Sequence, residues 1–485
     1  FFGFFMNINF LLAGTVSVNP VWLLLALGIM LAHRVAGYWG WATTVSNWVA
    51  VHRASAIIGP RKRLARAQRH GSTDRNSKPV VMMAEAENVV RFKGQAYTVS
   101  TQVPGLGDNS LADARRLVGV DYRAARATIE ITPDSIRAFC NYMGSENPLF
   151  LEPDYASGSR WGGIIAPPAM VGQAIIAPGL RGIQWIYAGI EWEFFQVMRP
   201  GDVISQRGQL VDAVEKRGRT VPRMILQIGR VTCHRQDGSL VAKSTVYHMR
   251  TPRRQAPGGM NYAAESRRWS KEELDSLERE MLAETVRGNR PRYWEKVAEG
   301  EEMPPVAYGP LRVVDIACTG SFTDSGAFSA EGVAHNGAHV YQVINRRRHP
   351  ADTFVDPETG VQDHPHRGHW ERFMAREVGM PGVYDMGPQR VSWLCRYITD
   401  WMGDDAFLLR LSASLRRPNI VGNVTRFRGR VRRKWVEGGF HLVQCDVLAV
   451  NHGGEIIMPG NAVVCLPSAH RPLSQSVVPP PRDAA

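Results

Sequence analysis

The residues with the most chemical potential run Asp363-His364-Pro365-His366-Arg367-Gly368-His369-Trp370-Glu371-Arg372, then on through Gly379-Met380-Pro381-Gly382-Val383-Tyr384-Asp385-Met386-Gly387. Three histidines and two acids stand together, and a Gly/Pro turn comes after them before an apolar helix. Histidine is the side chain whose ordinary pKa lies nearest neutrality. A His-and-acid loop feeding a helix N-terminus therefore suits proton transfer. The plainer reading is a solvated polar loop. His364 and His366 line the loop more readily than they bind a metal, because no third ligand stands at metal-ligand spacing.

Other elements must position that loop. A helix is expected from Gly387 through Val391, Leu394, Cys395, Ile398 and Trp401, which share one apolar face, with Gly403 ending it. Four strand-like runs come next: Phe407 to Leu415, Gly422 to Arg432, His441 to Val450 and Ile456 to Leu466. A similar order appears earlier. Ala127 to Ile131 reads as a strand. Thr132 then caps a helix that has Pro133 at its first position and Ile136, Phe139, Cys140 and Met143 on one face. Gly144 ends it. Ala169 to Ile176 is apolar nearly all round, the pattern of a buried helix. Beyond it lie the strand runs Gly189 to Phe195, Val203 to Val211, Met224 to Cys233 and Ser239 to Met249. A helix followed by several strands, twice over, is an α+β pattern. Gly309 to Ile316 is expected to repeat the opening strand of the first unit. Gly320 to Thr359 reads as an insertion that the first unit lacks.

The pattern His-Arg-x-His-Trp-Glu, then Ala-Arg-x-x-Gly-x-Pro-Gly, then Gly387 opening a helix, resembles the hydratase loop of the MaoC-like acyl dehydratases (enoyl-CoA hydratase 2). Gly144-Ser145-Glu146-Asn147-Pro148-Leu149-Phe150, with Trp161-Gly162-Gly163 beyond it, resembles the same loop a second time. The resemblance implies two tandem hot-dog units, each an antiparallel sheet wrapped around a central helix, forming a double hot dog. It implies a hydro-lyase acting on a 2-enoyl or 3-hydroxyacyl thioester. Coenzyme A would then be part of the substrate, with no separate cofactor. Carried over by position, His369 is the acid/base and the Gly387 N–H is the donor to the thioester oxygen. Trp370, Arg372, Gly382 and Tyr384 fall in the substrate-binding part of the loop. The family's acid stands five residues before the histidine, where this chain has His364. Asp363, one residue further back, is the candidate catalytic partner of His369, so the acid is displaced or missing. In the first loop Ser145 and Phe150 replace both catalytic side chains. The first unit is therefore expected to be structural and to help form a pocket for a bulky acyl chain, and the second to be catalytic.

The expected boundaries are residues 84–252 for the first unit, 253–290 for a linker carrying a surface helix from Lys271 to Val286, and 291–468 for the second. A Pro-rich, disordered tail covers 469–485. Residues 1–80 stand apart. They hold +8 of the chain's net +13, so the remainder is only mildly basic and argues against a nucleic-acid partner. Val21 to Trp41 is long enough to span a bilayer, although His33 and Arg34 interrupt it. The basic run Arg61 to His70 would then keep the downstream domain cytoplasmic. A secretory signal fits poorly, since its charges should precede the apolar core. In a third reading residues 1–80 are upstream or fused sequence, and a cytoplasmic domain starts at Met82-Met83. Six scattered cysteines without a CxxC pair point to a reducing compartment and no disulfides.

Two other functions fit the residues. A hot-dog thioesterase would want a carboxylate base on the central helix, and Asp385 and Asp400 are its candidates. A non-catalytic acyl-CoA-binding subunit, paired with another hot-dog chain or with a second copy of itself, would explain the missing acid.

Overall fold

The computed structural model describes residues 89–92, 95–98, 105–172, 175–218, 221–254, 267–322, 353–356 and 358–470. All of them lie in a compact unit, Ala84–Ala485. The apolar and basic stretch of residues 1–80, most of the expected insertion and the tail beyond 470 lie outside the described residues.

Ten strands form one sheet. In chain order they are β1 (Asp121–Glu130), β2 (Gln184–Phe194), β3 (Val203–Lys216), β4 (Met224–His234), β5 (Leu240–Thr251), β6 (Glu302–Tyr308), β7 (Phe407–Ser414), β8 (Thr425–Glu437), β9 (Phe440–Asn451) and β10 (Ile456–Leu466). Their spatial order is β1-β3-β4-β5-β2-β7-β10-β9-β8-β6. Read outward from the middle, the two halves repeat one connectivity. They join where β2 pairs antiparallel with β7, with Arg410 opposite Glu193 and Ser414 opposite Gly189. Alternation sets the faces. Along β4, Ile225, Gln227, Gly229, Val231 and Cys233 point inward, and along β8, Thr425, Phe427, Gly429 and Val431 do so. A separate antiparallel pair of strands is formed by Val89–Phe92 with Gln95–Thr98.

Helix α1 (Pro133–Met143) starts as its sequence requires. The Thr132 side chain accepts the Ser135 N–H, Ser135 returns the bond, and Gly144 ends the helix at φ 71°. The surface helix is α2 (Lys271–Leu282), with a capping box between Ser270 and Glu273. The segment Gly309 to Ile316 is not a strand. The strand is β6 just before it, and helix α3 (Val313–Phe322) begins inside the segment.

The two units fill their sheets differently. In the second, α5 (Gly387–Met402, following the short α4, Arg372–Glu377) is a 16-residue helix, and all of its residues except Gly387 and Arg396 are buried. It is enclosed on every side rather than on one face, so its polar residues need partners inside. Gln389 donates to the Asp315 carbonyl, Ser392 to the Pro388 carbonyl and Thr399 to the Arg396 carbonyl. Arg390 pairs with Asp385, and Arg396 with Asp400 and Glu284.

In the first unit the described residues of the expected helix over Ala169 to Ile176 are not α-helical. A single 3-10 turn, Pro168–Val171, occupies the start, and residues 175–178 are irregular. A backbone without helical bonds needs other donors. The inward faces of the strands supply them. Gln206 donates to the Val171 carbonyl and Gln227 to that of Pro178. The guanidinium of Arg250 reaches the carbonyls of Ala177, Gly179, Leu180 and Ile183. The Ile176 side chain fills the hollow above Gly208 and Gly229, where an added Cβ would lie 2.3 and 2.4 Å from it.

Arg250 is 3% exposed, so removing it strands several buried carbonyls at once. Arg250→Met should lower unfolding stability by at least about 3 kcal/mol in urea titration. The same change at exposed Arg428 should stay within about 0.5 kcal/mol.

Candidate active site

The histidine loop is a short 3-10 helix, Pro365–His369, lying against α4. Its entry is held by His364, whose Nδ1 accepts the His366 N–H at 3.1 Å. Gly368 allows the turn to sit on α4, since a Cβ there would be 3.3 Å from the backbone of Ala375. Met374, Ala375, Val378 and Met380 form a small core with Val221, packed by Ile186, Met224 and Tyr384.

His369 is held by its backbone neighbour, not by an acid. Its Nδ1 lies 2.8 Å from the Tyr384 carbonyl oxygen, and its ring lies 4.2 Å from the Tyr384 ring. A carbonyl can only accept, so Nδ1 carries the proton and Nε2 keeps its lone pair. Burial pushes the ring's pKa down to about 4, against the opposing pull of the carbonyl. His369 is thus a neutral base with one fixed tautomer. His366, edge-on at 4.8 Å, is also kept neutral by burial and by the neighbouring histidines.

The acids gather elsewhere. Arg367 takes Asp356 at 2.5 Å, Glu371 at 2.6 Å and Asp363 at 3.2 Å. Asp363 also accepts the His364 N–H at 2.6 Å. No hydrogen bond joins it to His369, so the expected Asp363–His369 partnership is replaced by an Asp363–Arg367 ion pair. Sequence reasoning passed over Arg367. The signal was its spacing of four residues from both Asp363 and Glu371, which lie just before and just after the 3-10 turn that carries it.

Gly387 opens α5. The residue before it, Met386, supplies no side-chain cap, and Pro388 has no N–H. The Gly387 N–H is therefore the first donor of the helix, with no acceptor inside it, at the positive end of the helix dipole. An added Cβ would lie 2.6 Å from Cδ1 of Tyr187 and 2.9 Å from Cδ2 of Leu415. Tyr187 belongs to β2, so the first unit forms one wall at the start of the second unit's helix. Behind Tyr187 stands His248, 0% exposed, edge-on at 5.5 Å and with neither ring nitrogen hydrogen-bonded. Burial, then Arg250, pushes its pKa down to about 3.

The remaining loop residues scatter. Trp370 is partly buried, edge-on to His366 at 4.9 Å. Gly382 is buried, and Arg372 is exposed at the start of α4. In the first loop Ser145 and Phe150 are each 3% exposed. The thioesterase candidates are both held in ion pairs: Asp385 with Arg390 at 2.5 Å, and Asp400 with Arg396 at 2.9 Å. Among the described residues no group of acids, histidines or cysteines is arranged to hold a metal ion. None of the helices there is long and apolar enough to cross a membrane. Cys140, Cys233, Cys395, Cys445 and Cys465 are free and buried.

Two half-sheets of one connectivity, joined edge to edge in one ten-stranded sheet with a buried helix in the second half, define a double hot dog. Residues 116–244 match the family model described as the FAS1-like dehydratase domain region. A solved MaoC-like dehydratase superposes with a TM-score of 0.50 at 14% identity, covering 72% of this chain and 99% of its own. A putative MaoC domain protein dehydratase from Chloroflexus aurantiacus J-10-fl gives 0.46 at 12% identity, covering 76% and 99%. Rv0216 of Mycobacterium tuberculosis, described as a double hot-dog fold, gives 0.42 at 10%, covering 72% and 96%. No curated protein matches this chain in sequence. The chain is thus a double hot dog that resembles the MaoC-like dehydratases.

The buried histidines make stability depend on pH. Unfolded, His248 titrates near its ordinary value of 6.5; folded, it titrates at about 3. Its contribution is fully present above about pH 6.5 and is lost as pH falls toward 3, because the unfolded chain takes the proton first. Between about pH 6.5 and 5 this one group should cost roughly 1.5 kcal/mol. Urea unfolding of His248→Leu should show that much less acid-side loss than the parent.

Proposed function

We propose that the second unit adds water across a 2-enoyl thioester, and in reverse dehydrates the 3-hydroxyacyl thioester, with His369 as acid and base. The observation that carries this is the fixed tautomer of His369, set by the carbonyl of a residue only three positions before Gly387. The thioester oxygen accepts the Gly387 N–H. His369 Nε2 takes a proton from water as its oxygen bonds to the β-carbon. Electron density moves onto the thioester oxygen, where the N–H and the helix dipole stabilise it. The imidazolium then returns its proton to the α-carbon, so one water is added and the histidine is neutral again. One group performs both transfers, since no carboxylate is bonded to His369. Coenzyme A would be the carrier of the acyl group and no separate cofactor is needed. Trp370 and Tyr384, whose rings flank His369 and His366, are the residues of the loop best placed to line an acyl group.

The missing carboxylate also supports a second reading, an acyl-thioester-binding subunit that works with another hot-dog chain. The two separate on trans-2-enoyl-CoAs of increasing bulk, followed by loss of the conjugated enoyl-thioester absorbance. His369→Ala should lower turnover by about 10²–10⁴. Asp363→Asn should change it by less than about tenfold, since Asp363 pairs with Arg367. Gly387→Ala, whose Cβ would collide with Tyr187, should abolish it while the sheet still folds. No turnover by the parent with any substrate, but saturable binding of the same thioesters in calorimetry, would select the subunit reading.

The pH profile tests the protonation state independently. A base with its pKa held at about 4 stays competent where an ordinary histidine would be charged. The acid limb of kcat/KM should therefore fall near pH 4 to 5 and not near 6.5. A limb near 6.5 would mean that His369 is solvated in the working enzyme.

A further inference from the structure

The Tyr384 carbonyl and the Gly387 N–H are only three residues apart, so whatever fixes the chain between them fixes both groups of the proposed site. On one side the backbone does this. Val383 to Asp385 runs antiparallel to the loop between β7 and β8, bridged at Tyr384 and Ile420. The Val421 N–H donates to the Val383 carbonyl and the Asp385 N–H to the Asn419 carbonyl, each at 2.8 Å. Carbonyls alternate in direction along an extended chain. With the Val383 carbonyl turned to the loop, the Tyr384 carbonyl faces the other way, toward His369.

On the other side one side chain completes the hold. Arg390 stands in the first turn of α5, three residues after Gly387. Its Nε donates to Asp385 Oδ2 at 2.5 Å, one terminal nitrogen to Oδ1 at 3.2 Å, and the other to the Arg417 carbonyl at 3.0 Å. Next to Arg417, the Arg416 N–H is bonded to the Ile457 carbonyl of β10 at 2.9 Å, so that end is tied to the sheet. One guanidinium thus joins the chain that holds His369, the β7–β8 loop and the central helix. The pair is closed to water, with side chains 3% and 1% exposed. Both carboxylate oxygens accept from Arg390, so Asp385 acts on the histidine through the chain and not by contact.

We propose that Arg390 and Asp385 are positioning residues: their ion pair holds the Tyr384 carbonyl against His369 Nδ1 and so keeps the histidine in the tautomer that leaves Nε2 free. A guanidinium suits this place, because the point charge of a lysine cannot reach both carboxylate oxygens and a carbonyl at once. The effect on turnover rests on the reaction proposed for His369. The tautomer does not, since it is read without substrate.

The test is the imidazole nitrogen spectrum of the full chain grown on ¹⁵N-histidine. Two-bond proton–nitrogen correlations distinguish the neutral tautomers, and among 14 histidines the His369 signals are those missing in His369→Ala. In the parent His369 should carry its proton on Nδ1, whereas a histidine without a partner favours Nε2. Asp385→Leu combined with Arg390→Met removes both charges and strands no buried ion. Arg390→Lys keeps the charge and loses the fork. In both, checked for native near-UV circular dichroism, the His369 signals should move toward the Nε2–H tautomer. On the enoyl-CoA that the parent hydrates, kcat should fall at least about tenfold with KM within about threefold. A folded variant that keeps the Nδ1–H tautomer would overturn the positioning role, as would an Nε2–H tautomer in the parent. Loss of the tautomer with a smaller fall in kcat would overturn its part in the reaction. A parent that turns over no thioester, with the tautomer still lost in the variants, would refute the reaction and uphold the positioning.

Discussion

The interior of each half-sheet has to be filled without leaving backbone polar groups unpaired, and the rest of the structure depends on how that is done. A helix is the simplest filler, because its N–H and C=O groups satisfy one another. The second unit uses one. Enclosing α5 on all sides then forces its polar residues to pair internally, which accounts for the Arg390–Asp385 and Arg396–Asp400 pairs. The same enclosure fixes the position of Gly387, because the helix start is wedged against Tyr187 and Leu415. Under the proposed function the Gly387 N–H would be a donor whose position the core packing fixes.

The first unit solves the same problem without a helix. Its filler is irregular chain, and the missing bonds come from Gln206, Gln227 and Arg250 on the strands. A guanidinium with several donors in a rigid plane can serve carbonyls that point in different directions. The cost falls on His248, which shares that inner face, lies beside Arg250 and is left neutral with no partner. The loss of the helix removes a helix N-terminus, and with it the oxyanion donor that a second active site would need. The replacements at Ser145 and Phe150 and the missing helix are thus consistent with one another.

Much of this is legible in the sequence, and the failures have physical causes. The strand runs from Val203 onward and the helix from Gly387 appear where alternation and helical spacing put them. The Thr132 cap and the Gly144 stop are local chemistry and are read without tertiary knowledge. Ala169 to Ile176 misleads because an apolar run reports burial and not conformation. The contrary signal lies elsewhere in the chain. Gln206, Gln227, His248 and Arg250 occupy strand positions that should be apolar if they faced a helix. Gly309 to Ile316 misleads because a short apolar segment can be either strand or helix. At the site, His369 and Gly387 are proposed from their register with a loop motif. The pairing of Asp363 is not, because one residue of offset on a 3-10 turn hands the carboxylate to Arg367.

That transfer has a chemical consequence. A histidine bonded to a carboxylate is a stronger base, since the acid stabilises the imidazolium. A histidine bonded to a carbonyl gains orientation without that stabilisation, and burial lowers its pKa further. His369 is thus a weak base with a correspondingly strong conjugate acid. Such a group is better at giving a proton than at taking one. In the proposed hydration direction it would favour protonation of the α-carbon and leave activation of water as the harder step. In the dehydration direction the demanding transfer is removal of the α-proton. A neutral imidazole with a pKa of about 4 gains there only if the Gly387 N–H has already drawn charge onto the thioester oxygen. In the proposed reaction the rate in both directions would therefore depend on the donor at the start of α5 as well as on the histidine, and the packing of the second core holds that donor in place.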